Sequence, residues 1–578
     1  LKILDLLDRS NQPFFDDQKN IVLMFNGEIY NFQEIKKELE NDFEFKTSSD
    51  TEVLIYAYKK WGISCLEKLE GMFSIVLYDK LEEKVFLIRD RLGIKPLFYG
   101  IKNGYIVFSS EIKSILETGL IEKQINLTAI DSYLTFLCTI DNLTPFENIL
   151  KLRPGELITI SLKDKNIKTE YYWDLELQKN IEDEDKIIKN IFSKIDQSIK
   201  EQMQADVDFG CFLSGGLDSS VNAILMSKHL QKPVKTLTVF FGKEGYDETK
   251  YSRLVAEKLK AESFERKIEQ KDFWEFLSNF NKINDNLNGD LVCFPLYFLS
   301  QMTKDKKIKM IQVGEGADEI FCGYRSFKYF SFIKLIDKIW NYTFNWNINI
   351  KKILSFIPKL LLNKNGKIYE MIIRWDNNLP WYFGANNIFN EFEKKNIWEN
   401  EVSKNINKDF IPNFVKKCYK KEHSPLQKIS YLETKLRLPE LLLNRVDMLT
   451  MNFSIESRVP FLNSNLVQYV FNIKDELKLK NNTAKYLLKK SMRDIVPNEI
   501  INREKQGFWA PFLEWYVNDS EFNKKITDLI LNSKLIKSNI FNEVYIKKLL
   551  NTKKFNTQTI LKIWSILILT NFYDYYFN

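Results

Sequence analysis

The stretch DFGCFLSGGLDSSVNAILMSKHL, residues 208–230, changes its hydrophobic pattern in the middle. An apolar run ends at Leu213, and an amphipathic helical pattern begins a few residues later. The turn and the start of the helix carry glycine, hydroxyl and carboxylate residues: Ser214, Gly215, Gly216, Asp218, Ser219 and Ser220. Glycines let the backbone approach a ligand closely, and a helix N-terminus offers free amides and a positive dipole end. The stretch therefore predicts a strand, an anion-binding turn and a helix.

An ordinary capped turn between a strand and a helix is the alternative interpretation. Such a cap does not require Gly-Gly followed closely by several hydroxyl and carboxylate groups. The Walker loop is excluded because no Lys-Ser or Lys-Thr follows, and the glycine spacing is not that of a dinucleotide fingerprint. Phosphate binding is the favoured interpretation.

A second acidic cluster lies in KMIQVGEGADEIFCGY, residues 309–324. An apolar strand again ends in a glycine-separated turn, from which Glu315, Asp318 and Glu319 project. Alone, acids at a helix start are simply favourable with its dipole. At the carboxyl edge of the same sheet as the first loop, Asp218 and Asp318 become candidate ligands for Mg²⁺ together with phosphate oxygens.

Two different patterns divide the chain around these loops. Residues 1–178 contain short strands in an α+β arrangement with antiparallel pairing, interrupted by helices near 32–40 and 50–61. Residues 184–578 begin with a long amphipathic helix and then alternate strand and helix, which predicts a parallel sheet, followed by a helical part beyond residue 325. We expect two domains with these boundaries.

Composition excludes several classes of protein. The 84 basic and 77 acidic residues give a net charge of +7, and they are interspersed, which indicates a solvated surface and no nucleic-acid partner. The apolar runs 353–362 and 563–572 are shorter than the ~20 residues needed to cross a bilayer, so we interpret both as buried helices and expect no membrane partner. No leader pattern is present, and a cytoplasmic protein is expected.

Cysteine and histidine usage narrows the chemistry further. The six cysteines are far apart, which favours reduced core thiols over zinc ligands or disulfides. Of the two histidines, neither His229 nor His423 lies in a catalytic context, and both are interpreted as structural.

The stretch IVLMFNGEIYNF, residues 21–32, runs an apolar strand into Asn-Gly and then offers Glu28 between aromatic residues. Asn-Gly is an ordinary signal for a hairpin turn. The alternative is that the segment belongs to a substrate pocket.

Two further stretches complete a pattern: LPELLLNRVDMLTMNFSIESRVPFLN at 438–463 and NREKQGFWAPFLEW at 502–515. With the two loops they resemble the synthetase domain of glutamine-dependent asparagine synthetases over most of residues 184–520. The resemblance implies an ATP-pyrophosphatase fold, with Lys505 contacting phosphate and Glu315 acting as a base. It further implies ATP-binding positions at Ser214, Gly215, Gly216, Asp218, Ser219, Val239, Gly314 and Glu315.

The N-terminal half resembles the glutaminase domain of the same family, a class II amidotransferase of four-layer αββα type. The matching segments are NGEIYN from Asn26, SSDTEVL from Ser48, GMFSIVLYD from Gly71 and RDRLGIKPLFY from Arg89. The resemblance implies that Asn26 and Gly27 form an oxyanion hole, while Glu28 and Asp50 hold the amino group of glutamine.

Family members begin, after the initiator methionine, with a catalytic cysteine whose own α-amine serves as base. This chain begins LKILDLLDRSNQPF, which resembles a later part of the family pattern. No internal cysteine replaces an N-terminal one, because the base would be missing. We therefore expect a fragment that does not hydrolyse glutamine and still uses free ammonia.

The resemblance implies that ATP and aspartate form β-aspartyl-adenylate with release of pyrophosphate. Ammonia from glutamine then travels through an internal channel and displaces AMP to give asparagine. A relative acting on another carboxylate, a cyclising synthetase and an inactive scaffold are the alternatives. Asn463 and Cys322, which replace a common aspartate and glycine, keep the first alternative open. The oligomeric state does not follow from the sequence, and a homodimer is one expectation.

Overall fold

The computed structural model describes residues 2–178, 182–243, 245–324, 327, 329–343, 346–361, 367–381, 387–503, 510–552 and 555–577. Its first unit contains a six-stranded antiparallel sheet in the order β1-β2-β3-β4-β8-β9 and a three-stranded sheet in the order β6-β5-β7. The strands are β1 Phe14–Phe15, β2 Ile21–Ile29, β3 Gly71–Asp79, β4 Lys84–Arg89, β5 Phe98–Lys102, β6 Tyr105–Ser109, β7 Leu150–Lys151, β8 Glu156–Ser161 and β9 Ile167–Tyr171. The helices of this unit are α1 Phe32–Leu39, α2 Asp50–Trp61, α3 Ile112–Glu117 and α4 Leu127–Phe136.

The predicted antiparallel α+β arrangement is confirmed. The apolar residues of β2 and β3 alternate toward α1 and α2, so that Leu23 and Ile75 share one core with Ile35 and Leu54. The predicted helices near residues 32–40 and 50–61 are also present.

The interpretation of Asn-Gly as a hairpin turn, in contrast, does not agree with the structure. Asn26 and Gly27 lie inside β2 and pair with Ser74 and Phe73 of β3 without a break. Gly27 has φ 152°, and a Cβ atom built on it would lie 2.0 Å from the carbonyl oxygen of Met72. The glycine is needed because the two backbones approach closely here, and no reversal of the chain is involved.

The second unit contains a parallel sheet in the order β12-β11-β10-β13-β14. Its strands are β10 Phe209–Phe212, β11 Lys235–Phe240, β12 Glu262–Lys267, β13 Met310–Gln312 and β14 Glu456–Arg458. The helices that accompany the first four are α5 Glu184–Glu201, α6 Leu217–Lys228, α7 Thr249–Leu259, α8 Asp272–Ile283, α9 Cys293–Asp305 and α10 Ala317–Ile320. Because later strands are added first on one side of β10 and then on the other, the strand order reverses between β10 and β13. Ligands of such sheets bind outside the carboxyl ends of the strands at this reversal.

The described residues after α10 are mostly helical, as predicted, apart from β14. Its helices are α11 Phe330–Thr343, α12 Ile348–Leu361, α13 Lys367–Asp376, α14 Glu391–Ile397, α15 Asn400–Ser403, α16 Phe410–Cys418, α17 Pro425–Lys435, α18 Asn444–Asn452, α19 Ser464–Phe471, α20 Asp475–Lys478, α21 Tyr486–Ser491, α22 Asn498–Ile501, α23 Phe512–Asn518, α24 Ser520–Asn532, α25 Lys534–Lys537, α26 Glu543–Leu550 and α27 Thr557–Tyr576.

The two apolar runs behave differently. The run 563–572 lies in α27, where Trp564 and Leu569 are buried, so this prediction is confirmed. The run 353–362 lies largely in α12, where Ile353 and Ile357 are exposed, so the prediction of a buried helix is wrong for the described part. In the described part of the chain, every helix is too short or too polar to cross a membrane.

Minor sequence expectations are also settled. All six cysteines are buried and free, as expected of core thiols. His229 Nε2 lies 2.9 Å from Asp196 Oδ1, and His423 is buried among the aromatic rings of Tyr431 and Phe471.

Buried ion pairs join the two units. Lys95 Nζ of the first unit lies 2.7 Å from Asp447 Oδ1, and Lys151 Nζ lies 2.5 Å from Glu440 Oε2. Burial of charge is tolerated only where it is paired, so these contacts specify how the units dock.

Candidate active sites

The loop after β10 is shaped by backbone geometry. Gly215 has φ 74°, and a Cβ atom on it would lie 2.5 Å from the backbone nitrogen of Ser252. The backbone nitrogen of Gly216 donates to Ser214 Oγ at 3.2 Å, and Ser214 Oγ lies 3.0 Å from Ser219 Oγ. The predicted strand, turn and helix are therefore present, with two hydroxyl groups gathered at the start of α6.

The loop after β13 packs against the first one. A Cβ atom on Gly314 would lie 3.0 Å from both the Cβ of Asp218 and the backbone nitrogen of Ser219. The two predicted loops thus meet at the strand-order reversal. Val239 is buried near the carboxyl end of β11, where the neighbouring Thr238 Oγ1 donates to the carbonyl of Leu213 at 2.6 Å.

The two candidate metal ligands share one cation, Lys485. Its Nζ lies 2.6 and 2.5 Å from the carboxylate oxygens of Asp218 and 2.7 Å from Asp318 Oδ1. Burial acts to lower the pKa of Lys485, but the charges of Asp218 and Asp318 outweigh it and raise the pKa above its usual value.

The positions of Asp218 and Asp318 show whether a Mg²⁺ ion fits between them. Because both carboxylates contact the same nitrogen, they are close enough to face one cation, and Mg²⁺ is bound by one or two carboxylates plus phosphate oxygens. The two carboxylates are therefore close enough to hold such an ion alongside nucleotide phosphates, provided that the Lys485 ammonium leaves the space between them. Within the described residues, no group of three or more His, Cys, Asp or Glu side chains forms an all-protein metal site.

Glu315 does not join this pair. Its Oε1 accepts from Arg445 Nη2 at 2.7 Å, and the guanidinium also pairs with Asp290. Arg445 is thus flanked by two carboxylates. Glu319 turns the other way and contacts the hydroxyl of Tyr324.

Lys505 lies outside the described residues. Arg503, two positions earlier, donates from Nη1 to the carbonyl oxygen of Gly215 at 2.9 Å and pairs with Glu248. The beginning of the Arg-x-Lys segment therefore contacts the anion-binding turn.

The N-terminal candidates line a cavity of about 680 Å³. Asn26, Gly27, Glu28 and Asp50 all belong to its wall. Asn26 Nδ2 donates to Ser110 Oγ at 3.0 Å, which fixes the orientation of the amide. The structure thus brings the four predicted residues together.

The two carboxylates of this cavity differ. Asp50 Oδ2 accepts from the backbone nitrogen of Ile29 at 3.0 Å, and burial raises the pKa of Asp50 to about 6. Glu28 Oε2 accepts from Arg458 Nη2 at 2.9 Å, while Oε1 is buried and has no hydrogen-bond partner among the residues that the structure describes. Burial raises the pKa of Glu28 well above its usual value, although Arg458 opposes this shift.

Helix α18 contributes to both sites. Asn444, Asp447, Met448 and Met451 line the cavity, a spacing that covers one helix face. Arg445 lies on a different face and contacts Glu315. One helix therefore separates the cavity from the second loop of the nucleotide-type site.

Four residues of these sites were not predicted from sequence: Arg445, Arg458, Lys485 and Arg503. Arg445, Arg458 and Arg503 lie within the quoted stretches 438–463 and 502–515, which was the available signal. Lys485 lies outside both, among many lysines, and carries no local signal.

Comparisons with known proteins agree with this architecture. The profile described as "Asparagine synthase" matches residues 190–574, and the profile "Glutamine amidotransferase domain" matches residues 1–173. The chain is 31% identical to "Asparagine synthetase [glutamine-hydrolyzing] 1" of Bacillus subtilis, over 98% of this chain and 87% of the relative. It is 27% identical to "Amidase chry2" of Gibberella zeae, over 92% and 82%, and 27% identical to "Amidase chyE" of Penicillium rubens, again over 92% and 82%.

The fold is that of a glutamine amidotransferase domain followed by an asparagine synthase domain, and each domain contains one of the two candidate sites. The chain belongs to the asparagine synthase family.

Proposed function

We propose that the chain is an ATP-dependent ligase that converts a carboxylate into an amide with ammonia, which family members derive from glutamine. One observation carries the proposal. The Ser-Gly-Gly loop and the second acidic loop meet at the strand-order reversal, and α18 lies between them and the cavity that holds the glutamine candidates.

The nucleotide phosphates would bind the turn Ser214–Ser219 and the N-terminus of α6. Lys485, and Lys505 from beyond the described residues, would supply positive charge there. The adenine ring is expected near Val239. Asp218 and Asp318 would hold Mg²⁺, which neutralises charge on the phosphates when it is bound.

The chemistry follows from these positions. An oxygen of the acceptor carboxylate attacks the α-phosphorus of ATP, the bond to the bridging oxygen of the β-phosphate breaks, and pyrophosphate leaves. The nitrogen of ammonia then attacks the acyl carbon, and AMP leaves with the electron pair of the broken carbon–oxygen bond. Glu315 would accept the proton that the nitrogen loses.

In the amidotransferase unit, Asn26 and Gly27 would stabilise the oxyanion that forms when a cysteine thiolate, as in family members, attacks the amide carbon of glutamine. Asp50 is the better candidate for the amino group of glutamine, because one oxygen of Glu28 is committed to Arg458. Ammonia would pass along α18 to reach the acyl carbon. The proposed small-molecule partners are glutamine, ATP and the acceptor acid, and the proposed location of the reaction is the cytoplasm.

Aspartate is the first candidate acceptor, as the family resemblance implies. A specific observation favours a second candidate, a carboxylate with less negative charge than aspartate. Arg445, the cation beside the proposed base Glu315, is already flanked by Asp290 and Glu315, so a second acceptor carboxylate placed there would compete with both for the same guanidinium. The similarity to two fungal proteins named as amidases is compatible with another acceptor.

Pyrophosphate release by the full chain tests the proposal. The assay contains ATP, Mg²⁺, ammonium chloride and one acid at a time, drawn from aspartate, glutamate and monocarboxylic amino acids. Release that requires aspartate supports asparagine synthesis, and release that requires another acid supports the second candidate. Absence of release with every acid would contradict a ligase and support an inactive scaffold.

A further inference from the structure

Helix α12 is amphipathic, but its apolar face is exposed and its polar face is buried, which is the reverse of a normal surface helix. Ile350, Ile353, Leu354 and Ile357 lie at the spacing of one helix face, and all four are exposed. Ile353 is 74% exposed and Ile357 is 66% exposed. The apolar face therefore points to solvent.

The polar face of α12 is the buried one. Ser355 Oγ donates to Asp376 Oδ2 at 3.0 Å, and Lys359 pairs with the same carboxylate. Lys351 donates to Asn378 Oδ1. These contacts with the end of α13 and the residues after it fix the helix so that its apolar side remains outward.

Helix α11 and the link to α12 extend the apolar surface. Leu335, Ile339 and Tyr342 are exposed at positions of one face of α11, while Ile333 on another face is buried in the core. Trp346, in the connection, is also exposed. Two helices that follow each other in the chain thus each expose apolar and aromatic side chains, and exposed apolar surface of this kind marks interaction sites. We call the exposed side chains of the described residues between 334 and 357 the α11–α12 surface.

The exposed charges of this surface have one sign. Among the described residues of α11 and α12, Lys334, Lys338 and Lys352 are exposed, whereas the acidic Asp337 is buried against Lys428 at 2.7 Å. Lys334 lies 3.5 Å from the exposed Glu476, a weak surface contact. Lys338 and Lys352 therefore leave the surface positively charged.

We propose that the α11–α12 surface docks the protein on an anionic lipid bilayer. Helices with exposed Ile, Leu, Phe and Trp flanked by lysines lie in the interface of a membrane without crossing it, and lysines add attraction to anionic headgroups. A second copy of the chain is less suitable, because a two-fold interface would bring like charges of the same patch together. This differs from the expectation of no membrane partner, which rested on the lack of a spanning run.

Vesicle sedimentation of the full chain tests the proposal. We expect binding to vesicles of phosphatidylglycerol and phosphatidylcholine at low salt, and several-fold less binding to phosphatidylcholine alone or at high salt. The double variant Ile353→Ser/Ile357→Ser should bind about tenfold more weakly. Lys338→Glu/Lys352→Glu should lose the preference for anionic vesicles.

The matched controls replace two exposed apolar residues, or two exposed lysines, elsewhere in the chain. Leu81 is 75% exposed and Val544 is 76% exposed, so Leu81→Ser/Val544→Ser should bind vesicles as the unmodified chain does. Lys163→Glu/Lys524→Glu, at two other exposed lysines, should keep the preference for anionic vesicles.

Equal binding by the α12 variant and its control, or no binding to anionic vesicles, would overturn the proposal. Self-association in sedimentation velocity that Ile353→Ser/Ile357→Ser abolishes, without vesicle binding, would overturn it in favour of a second copy. Melting temperature and pyrophosphate release should be unchanged in every variant, because the altered side chains are exposed and lie outside both sites.

Discussion

The two candidate sites are built by different means. The loop after β10 depends on backbone geometry, with a left-handed glycine and carboxylates that are each paired with Lys485. The cavity that holds the glutamine candidates depends on burial, which raises the pKa of Glu28 and of Asp50 above their usual values. Under the proposed function, the first site is prepared for phosphate before substrate arrives, whereas the second changes its charge with pH.

The largest effect is expected at Lys485. Lys485→Ala would leave Asp218 and Asp318 facing each other without the cation between them, and would remove positive charge from the phosphate site. We expect kcat for pyrophosphate release to fall by about 10³-fold, the upper range for loss of one group that stabilises developing charge. Lys490→Ala, at an exposed lysine five residues along, is the control and should retain full activity. If Lys485→Ala retained its activity, Lys485 would be excluded as a functional cation of the nucleotide site.

Gly215→Ala tests the backbone directly. The added Cβ would meet Ser252 and Tyr251 at 2.5–2.7 Å at a φ of 74°, so the turn must shift. We expect pyrophosphate release to fall by about 10²-fold while glutamine affinity, measured by calorimetry, is unchanged. Gly104→Ala has a similar φ of 79° with no atom within 4 Å, and should leave the release rate unaltered. Equal rates for the two variants would show that the shape of the turn is unimportant.

Asp50→Asn sharpens the other half of the comparison. The ionised carboxylate is the form that attracts the amino group of glutamine, and its pKa of about 6 means that ionisation grows between pH 5 and 7. Glutamine affinity should therefore rise across this interval, and Asp50→Asn should bind roughly tenfold more weakly at pH 7.5 with a flat pH profile. Titration calorimetry at several pH values makes the measurement. A steep profile that persists in Asp50→Asn would assign the dependence to another group.

Asp285→Asn is the control for that experiment and carries the smallest functional effect. Asp285 lies in the same cavity wall, and burial raises its pKa to about 6, but its carboxylate accepts from the backbone nitrogen of Lys113 at 3.0 Å. Glutamine affinity should not change.

The Asp285→Asn substitution should instead change how the stability of the protein depends on pH. The folded state holds the proton of Asp285 up to about pH 6, whereas the unfolded chain releases it near the ordinary value of 3.8. The free energy of unfolding therefore falls as pH rises through this window, by up to about 3 kcal/mol for this group. Urea denaturation at pH 4.5 and 7.5 should show a smaller decrease for Asp285→Asn. An identical decrease in both proteins would contradict the assignment.

Local patterns predicted much of the fold. Alternating strands, the helices near residues 32–40 and 50–61, and the parallel sheet follow from hydrophobic period and turn residues, and the structure contains them. The dipeptide Asn26-Gly27 left a hairpin turn open as one interpretation, because the sequence alone does not distinguish a turn from a close approach of two strands. Sequence period identifies a face of α12, but only packing against Asp376 and Asn378 shows which way the face points.

The candidate sites were predictable where a motif carries them. Ser214, Gly215 and Asp218 lie within six residues of one another, and this local pattern predicts phosphate binding. Lys485 reaches Asp218 across 267 positions, and Arg458 reaches Glu28 across 430. Such contacts arise from tertiary docking, and one long cationic side chain gives no local sign of its partner.

The central claim is that ATP is cleaved between its α- and β-phosphates by attack of the acceptor carboxylate. The most direct test supplies the acceptor identified by pyrophosphate release with ¹⁸O in its carboxylate, together with ATP and ammonia, and follows the isotope by mass spectrometry. The account predicts AMP that contains one ¹⁸O atom, and an amide product in equal amount. Label in inorganic phosphate with formation of ADP, or unlabelled AMP, would contradict it.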